Sequence, residues 1–195
     1  DLADHKDDFM RGTVTMAREQ IAAGKPNEYW RIPRDQRDPV TAARLAHLLD
    51  DNAVQVLATA SAFLVPTAQP YGKYAGELLG TQRYPEVRLV PGGPILRPYD
   101  VTTWSLPLLM GVDVVREIVP ASTAAAAKPI TEGDWPVGRL EGRGPLYALA
   151  RSTNNSVRVL NAVLKRKGMV SVATKSFQSD GASYPAGTLI FEEAG

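Results

Sequence analysis

Two pairs of residues, His5 with Asp8 and His47 with Asp50, have a His-x-x-Asp spacing that could bring a histidine and a carboxylate together. Residues three apart lie on the same face of a helix, so each pair could offer two ligands to a metal ion. A zinc site needs a third protein ligand, and the chain has no cysteine and no further histidine. We therefore expect no metal site and no cofactor in this chain.

The nucleophilic residues and the adjacent acids do not indicate a catalytic site any more strongly than the two His-x-x-Asp pairs indicate a metal site. The adjacent carboxylates at Asp7-Asp8, Asp50-Asp51 and Glu192-Glu193 point in different directions, which is typical of a solvated surface rather than of acid–base catalysis. The chain has no Gly-x-Ser-x-Gly motif and no phosphate-binding glycine loop. We expect no catalytic residue, with a hydrolase built on an unfamiliar serine site as the enzymatic alternative.

Two stretches that mix aromatic and hydrogen-bonding residues between prolines are the best candidates for a binding surface. One spans residues 69–74 and the other spans residues 97–104. In the alternative interpretation, the aromatic rings hold these loops against the sheet and Asp100 caps a short helix. The predicted binding residues are Gln69, Tyr71, Lys73, Arg97, Tyr99, Asp100 and Trp104.

Composition limits the possible partners. The 195 residues include 22 Lys and Arg against 21 Asp and Glu, a net charge of +1. This balance argues against a partner nucleic acid and against a polybasic membrane anchor. The longest apolar run, near residues 105–115, is far shorter than the roughly 20 residues of a membrane span. The absence of cysteine leaves the cellular compartment open.

Hydrophobic periodicity and capping residues predict short strands that alternate with helices, which indicates an α/β fold. Met10, Val14, Ala17 and Ile21 fall on one face of a helix over residues 5–23, for which Gly24 suits a left-handed C-cap. A second helix is expected over residues 38–51, with Leu48 among its inward residues. Further helices are predicted over residues 71–79 and 157–167.

An internal repeat is suggested by two segments that share one order of elements: a strand, a helix and a second strand. The two helices start at Asp38 and Asn154, which are 116 residues apart. They end at Asn52 and Gly168, which are also 116 residues apart. In the second segment eleven residues separate Phe177 from the last strand, whereas Phe63 is followed directly by Leu64 in the first. We therefore expect a loop to be missing between Phe63 and Leu64, unless the strand simply continues.

The predicted architecture is one compact domain in which two related β-α-β units surround a mixed sheet, as a two-layer or three-layer sandwich. Both ends of the sequence resemble cuts through a longer polypeptide. The expected divisions are a linking helix at 1–26, a first α/β unit at 27–120, a connection at 121–145 and a second α/β unit at 146–195.

Three stretches of the sequence resemble the region that follows the catalytic domain in large bacterial zinc carboxypeptidase-like proteins. They read IPRDQRDPVTAARL from Ile32, TAQPYGKYAGELLGTQRYPE from Thr67, and PYDVTTWSLPLLMGV from Pro98. The later stretch at 147–191 fits the same region, including a loop at 184–187 that supports a missing counterpart near Phe63. The resemblance covers roughly residues 5–191, and none of its motifs is catalytic.

The resemblance implies a parent protein that is a secreted or periplasmic zinc metallocarboxypeptidase, with this chain as a non-catalytic accessory domain. The zinc would belong to the parent's peptidase domain. That family's His-x-x-Glu pair and later histidine have no counterpart here, because both His-x-x motifs end in Asp. The implied partners are neighbouring domains of the same polypeptide, with peptide substrate as a further partner. The alternative function is a self-sufficient module that binds a small ligand or glycan.

Overall fold

Helices and strands alternate along the chain, which confirms the predicted α/β class. The computed structural model describes residues 4–82, 85–97 and 104–192. The second helix begins as predicted, with the Asp38 side chain accepting a hydrogen bond from Thr41 N and Pro39 in its first turn. The helices are α1 (Lys6–Ala23), α2 (Pro39–Asp51), α3 (Gly72–Leu79), α4 (Leu106–Met110), α5 (Ala121–Ala126) and α6 (Asn155–Lys165).

The strands form separate sheets with antiparallel neighbours, rather than the single mixed sheet that we expected. The strands are β1 (Glu28–Pro33), β2 (Leu57–Ala58), β3 (Ala62–Pro66), β4 (Val115–Ile118), β5 (Lys128–Pro129), β6 (Leu146–Leu149), β7 (Val170–Val172), β8 (Phe177–Ser179), β9 (Ala182–Tyr184) and β10 (Leu189–Glu192). A five-stranded sheet has the order β4-β1-β3-β2-β5, and a three-stranded sheet has the order β6-β10-β7. Strands β8 and β9 form a hairpin of their own.

The main hydrophobic core lies between α2 and the five-stranded sheet. Leu45 and Leu49 of α2 are buried in one cluster with Ile32 of β1 and Phe63 of β3. The prediction that Leu48 also points inward is wrong, since it is 40% exposed. The core therefore uses a narrower stripe of α2 than the run of leucines suggests.

The expectation of a missing loop between Phe63 and Leu64 is wrong. Both residues lie within β3, where Phe63 pairs with Ile32 and Leu64 pairs with Arg31 of the same neighbouring strand. The chain reverses earlier, at a tight turn in which Thr59 N donates a hydrogen bond to Ala62 O. The second unit instead fills the corresponding position with the β8–β9 hairpin, so the two units differ in loop length without any gap.

The two units share a strand arrangement. In each unit, the last strand lies in the centre, between the strand that precedes the helix and the strand that follows it. The orders are β1-β3-β2 in the first unit and β6-β10-β7 in the second. The central strand is antiparallel to both neighbours. This agreement favours the repeat, which stays a prediction. The two-unit sandwich likewise stays a prediction.

The region 121–145 is more closely tied to the first unit than the predicted connection implies. Strand β5 pairs with β2 at the edge of the five-stranded sheet, and Ile130 is buried in the main core. Asp134 forms an ion pair with Arg34 of the first unit. The sequence does not predict these contacts, because individual side chains make them within a segment rich in alanine and glycine.

Helix α1 follows its predicted bounds closely but lies on the surface. No residue of it is buried. Gly24 ends the helix with an extended backbone at φ −73°, so the expected left-handed C-cap is wrong. A Cβ at Gly24 would lie 2.3 Å from Ala68 Cα. This position therefore requires glycine because two backbone segments touch, and the contact fixes the C-terminal end of α1.

Candidate functional site

Gln69, the first predicted binding residue, is 1% exposed and serves the fold. Its Oε1 accepts a hydrogen bond from Gln55 N at 2.6 Å, and its Nε2 donates to Gln55 O and to Pro66 O. The buried side-chain amide thus spends its hydrogen bonds on the backbone of residues 55 and 66, which it ties together. We therefore assign Gln69 to the fold rather than to a binding surface.

Tyr71 and Lys73 lie at the start of α3, and both are exposed. The ring of Tyr71 packs edge-on against Tyr74, with centroids 6.5 Å apart. Both rings keep more than 40% of their surface exposed. The backbone amide of Lys73 donates to Gln20 Oε1 of α1 at 3.2 Å. This end of α3 thus presents two aromatic faces beside an exposed ammonium group.

Trp104, from the second predicted stretch, lies away from this cluster. Trp104 is 50% exposed and its backbone amide donates to Gln82 Oε1, beyond the C-terminal end of α3. Tyr71 precedes the N-terminal end, and eight helical residues span about 12 Å. Arg97 is exposed, whereas Tyr99 and Asp100 lie outside the described residues. The predicted residues that can be placed therefore occupy at least two separate positions.

A groove of about 460 Å³ lies along α3, and we call it the α3 groove. The C-terminal end of α1 forms one side of it, α3 forms another, and β1 and β4 supply Trp30 and Arg116. Its lining is Gln20, Ala23, Gly24, Trp30, Thr67, Gly72, Lys73, Gly76, Glu77, Gly80, Thr81 and Arg116. Among the residues that the structure describes, Lys73 is the single predicted binding residue within this lining.

Trp30 and Arg116 are directly opposite one another on the paired strands β1 and β4. The Arg116 guanidinium lies 5.4 Å from the centre of the Trp30 ring and donates to Glu28 Oε2 at 2.8 Å. That hydrogen bond holds the pKa of the Glu28 carboxyl below its usual value, against the opposing effect of burial. The ion pair and the ring stacking fix the position of Arg116 at the groove.

Lys73 and Glu77 stand one helical turn apart in the same groove. Within the part of the chain that the structure describes, neither forms an ion pair. Gly76 lies between them, and a Cβ there would meet no atom within 4 Å. The groove thus has an open helix surface with one free positive and one free negative side chain.

Sequence reasoning missed the α3 groove because its parts are distant in the chain. Trp30 and Arg116 become neighbours through the register of β1 with β4, which no local pattern specifies. The available signal was the spacing of Gly72, Gly76 and Gly80, which places three residues without side chains on one face of α3.

His47, considered for metal binding, stacks on Trp135 with ring centroids 4.5 Å apart and nearly parallel planes. His5 lies 3.9 Å from the Asp8 carboxylate, and both side chains are exposed. Across residues 4–82, 85–97 and 104–192, no group of three histidine, aspartate or glutamate side chains could hold a metal ion.

Comparisons with known proteins add no relative. No family model, curated protein or solved structure matches the chain. Among the helices of the described residues, none has the length and apolar character required to cross a bilayer.

Proposed function

We propose that this chain is a non-catalytic accessory domain of a secreted zinc metallocarboxypeptidase-like protein. It would act as a scaffold on which neighbouring domains of the same polypeptide pack. The motifs beginning at Ile32, Thr67 and Pro98 suggest this family. The observation that carries the proposal is the exposure of apolar side chains along one side of each of two helices.

The first of these faces is on α1. Met10, Val14 and Ile21 recur on one side of this helix and are between 44% and 60% exposed. The second face is on α6, where Val157 and Leu164 are about half exposed and Ser156 is the buried residue. Exposed apolar side chains grouped on one side of a helix suit a face that another protein surface covers. We assign both faces to neighbouring domains.

A role in holding peptide substrate is supported by the start of α3. The exposed rings of Tyr71 and Tyr74 and the ammonium group of Lys73 offer stacking surfaces beside a hydrogen-bond donor. Rigid aromatic side chains lose little conformational entropy when they bind, which suits recognition of an extended peptide.

Hydrogen exchange tests the scaffold role. The 195-residue chain is compared with a longer polypeptide that carries the flanking segments of its reading frame. We expect slower exchange at the backbone amides of α1 and α6 in the longer protein, and no change in the already buried α2. Unchanged exchange at both α1 and α6 would refute the proposal.

The alternative, a self-sufficient module that binds a small ligand or glycan, is favoured by the exposure of Trp104. Half of its surface is available for stacking on a sugar ring. Calorimetry of the isolated chain with a panel of oligosaccharides distinguishes the two functions. Saturable binding that is lost in Trp104→Ala would support the module, whereas no heat with any sugar would support the scaffold.

A further inference from the structure

We propose that the α3 groove binds a zwitterionic amino compound, either a free amino acid or a short peptide. Lys73 would hold the carboxylate of the ligand and Glu77 would hold its ammonium group. The apolar side chain of the ligand would pack against Trp30. This inference extends the proposed role of Lys73 in holding peptide and rests on it, but it does not use the exposed faces of α1 and α6 that carry the scaffold role. Failure of the groove proposal would therefore leave the scaffold role intact.

The charges of the groove select this class of ligand. Arg116 is ion-paired with Glu28, whose carboxylate also lies 3.7 Å from Lys25 Nζ. Lys73 and Glu77 are therefore the unpaired charges among the described lining residues. Their spacing of four residues permits a direct ion pair on a helix, yet these two side chains do not form one. A ligand with one carboxylate and one ammonium group would satisfy both, whereas a simple anion or cation would be repelled by one of them.

The walls of the groove are fixed before any ligand arrives. Gln20 of α1 bonds to the backbone of Lys73, and Gly24 touches the backbone at Ala68. The ring of Trp30 reaches α3, since a Cβ at Gly80 would lie 3.7 Å from its Cη2 atom. A preformed groove loses less free energy to ordering when it binds a ligand.

Gly76 provides a variant that blocks the groove without disturbing the fold. A side chain at this position would point into open space, and leucine is a better helix former than glycine. Gly12 of α1 is the matched control, because it is also helical and its Cβ would also meet no atom within 4 Å. Gly76→Leu and Gly12→Leu therefore add the same side chain inside and outside the groove.

Calorimetric titration with L-phenylalanine tests the proposal, with N-acetyl-phenylalanine and phenylalanine amide as probes that each lack one charge. We expect L-phenylalanine to bind with a Kd below about 1 mM, and each single-charge probe to bind about tenfold more weakly. Lys73→Met should remove the preference over the amide, and Glu77→Gln the preference over the acetylated probe. The dipeptide Gly-Phe, titrated in parallel, distinguishes a peptide from a free amino acid by its relative affinity.

Gly76→Leu should abolish binding while Gly12→Leu retains it, with circular dichroism confirming that both variants fold. Three results would each overturn the proposal: equal affinity for all three phenylalanine probes, no binding of L-phenylalanine or Gly-Phe below about 1 mM, or unchanged binding in Gly76→Leu.

Discussion

The backbone amide of Asn154 donates a hydrogen bond to Asp38 Oδ2 at 2.7 Å, joining the starts of α2 and α6. The same carboxylate accepts from Thr41 N and Thr41 Oγ1, and Asn154 Nδ2 donates to Thr41 Oγ1 at 3.0 Å. Asp38 is 1% exposed. One buried carboxylate therefore caps its own helix and holds the beginning of the other, at the two positions that the proposed repeat makes equivalent.

Replacing Asp38 should destabilise the protein more than a simple loss of a helix cap. Asp38→Ala removes an N-cap and leaves the amides of Thr41 and Asn154 without their acceptor, so we expect a loss of about 3 kcal/mol in the free energy of unfolding. Urea unfolding measures it. Asp35→Ala, an exposed aspartate three residues earlier, is the control and should change little. A loss below about 0.5 kcal/mol in Asp38→Ala would show that the carboxylate does not join the units.

Acid should destabilise the fold through three carboxyls. Burial raises the pKa of Asp38, but its hydrogen bonds from Asn154 and Thr41 outweigh this, so the pKa lies below the usual 3.8. Similar opposing effects lower the pKa of Asp134, and the hydrogen bond from Arg116 lowers that of Glu28. Lowered values in the folded state mean that the unfolded chain takes up protons first as the pH falls.

The stability that these groups contribute is therefore complete above about pH 5 and is lost as the pH falls through their folded-state pKa values. Urea unfolding of the wild type and of Asp38→Asn across this range checks the sign. The difference in stability between the two should narrow toward about pH 3, where protonation removes the advantage of the carboxylate. A difference that widens on acidification would contradict the lowered pKa of Asp38.

Insertions distinguish the continuous strand β3 from the missing loop. Four residues of Gly-Ser-Gly-Ser placed between Phe63 and Leu64 would interrupt the central strand of the β1-β3-β2 arrangement, and we expect the cooperative thermal transition to disappear. The same insertion between Ala60 and Ser61 lengthens a surface turn and should cost about 1 kcal/mol. Equal tolerance of both insertions would restore the missing-loop interpretation.

The contact between Gly24 and Ala68 can be tested by adding one methyl group. Gly24→Ala should lower the melting temperature, because its Cβ would overlap the Ala68 backbone. Gly12→Ala places the same group in open space within α1 and should stabilise that helix by about 0.5–1 kcal/mol. Calorimetric melting of both variants gives the comparison, and a higher melting temperature in Gly24→Ala would show that α1 does not dock at Ala68.

The ion pair of Arg34 with Asp134 ties the region 121–145 to the first unit. Arg34 also donates to Thr59 O and to Asp134 O, and its guanidinium lies 4.1 Å from the centre of the Phe63 ring. Arg34→Met should lower the free energy of unfolding by about 2 kcal/mol, since it leaves these acceptors unpaired. Arg44→Met, on the exposed side of α2, is the control. Equal losses in the two variants would refute a specific role for Arg34.

Sequence patterns predict the local elements of this chain well, because the signals are local. The proline after Asp38 and the glycine after Leu79 mark the start of α2 and the end of α3 as the structure has them. Pairings between distant strands are not predictable in this way. The opposition of Trp30 and Arg116 and the role of Gln69 under the surface both depend on tertiary register, so the α3 groove emerges only in the folded chain.

Peptide hydrolysis is the most direct test of the central claim that this chain is an accessory domain without catalysis of its own. The purified chain is incubated with Zn²⁺ and a peptide that has a free C-terminal carboxylate, and products are followed by mass spectrometry. We predict that the peptide stays intact. Release of its C-terminal amino acid, blocked by a chelator, would contradict the claim.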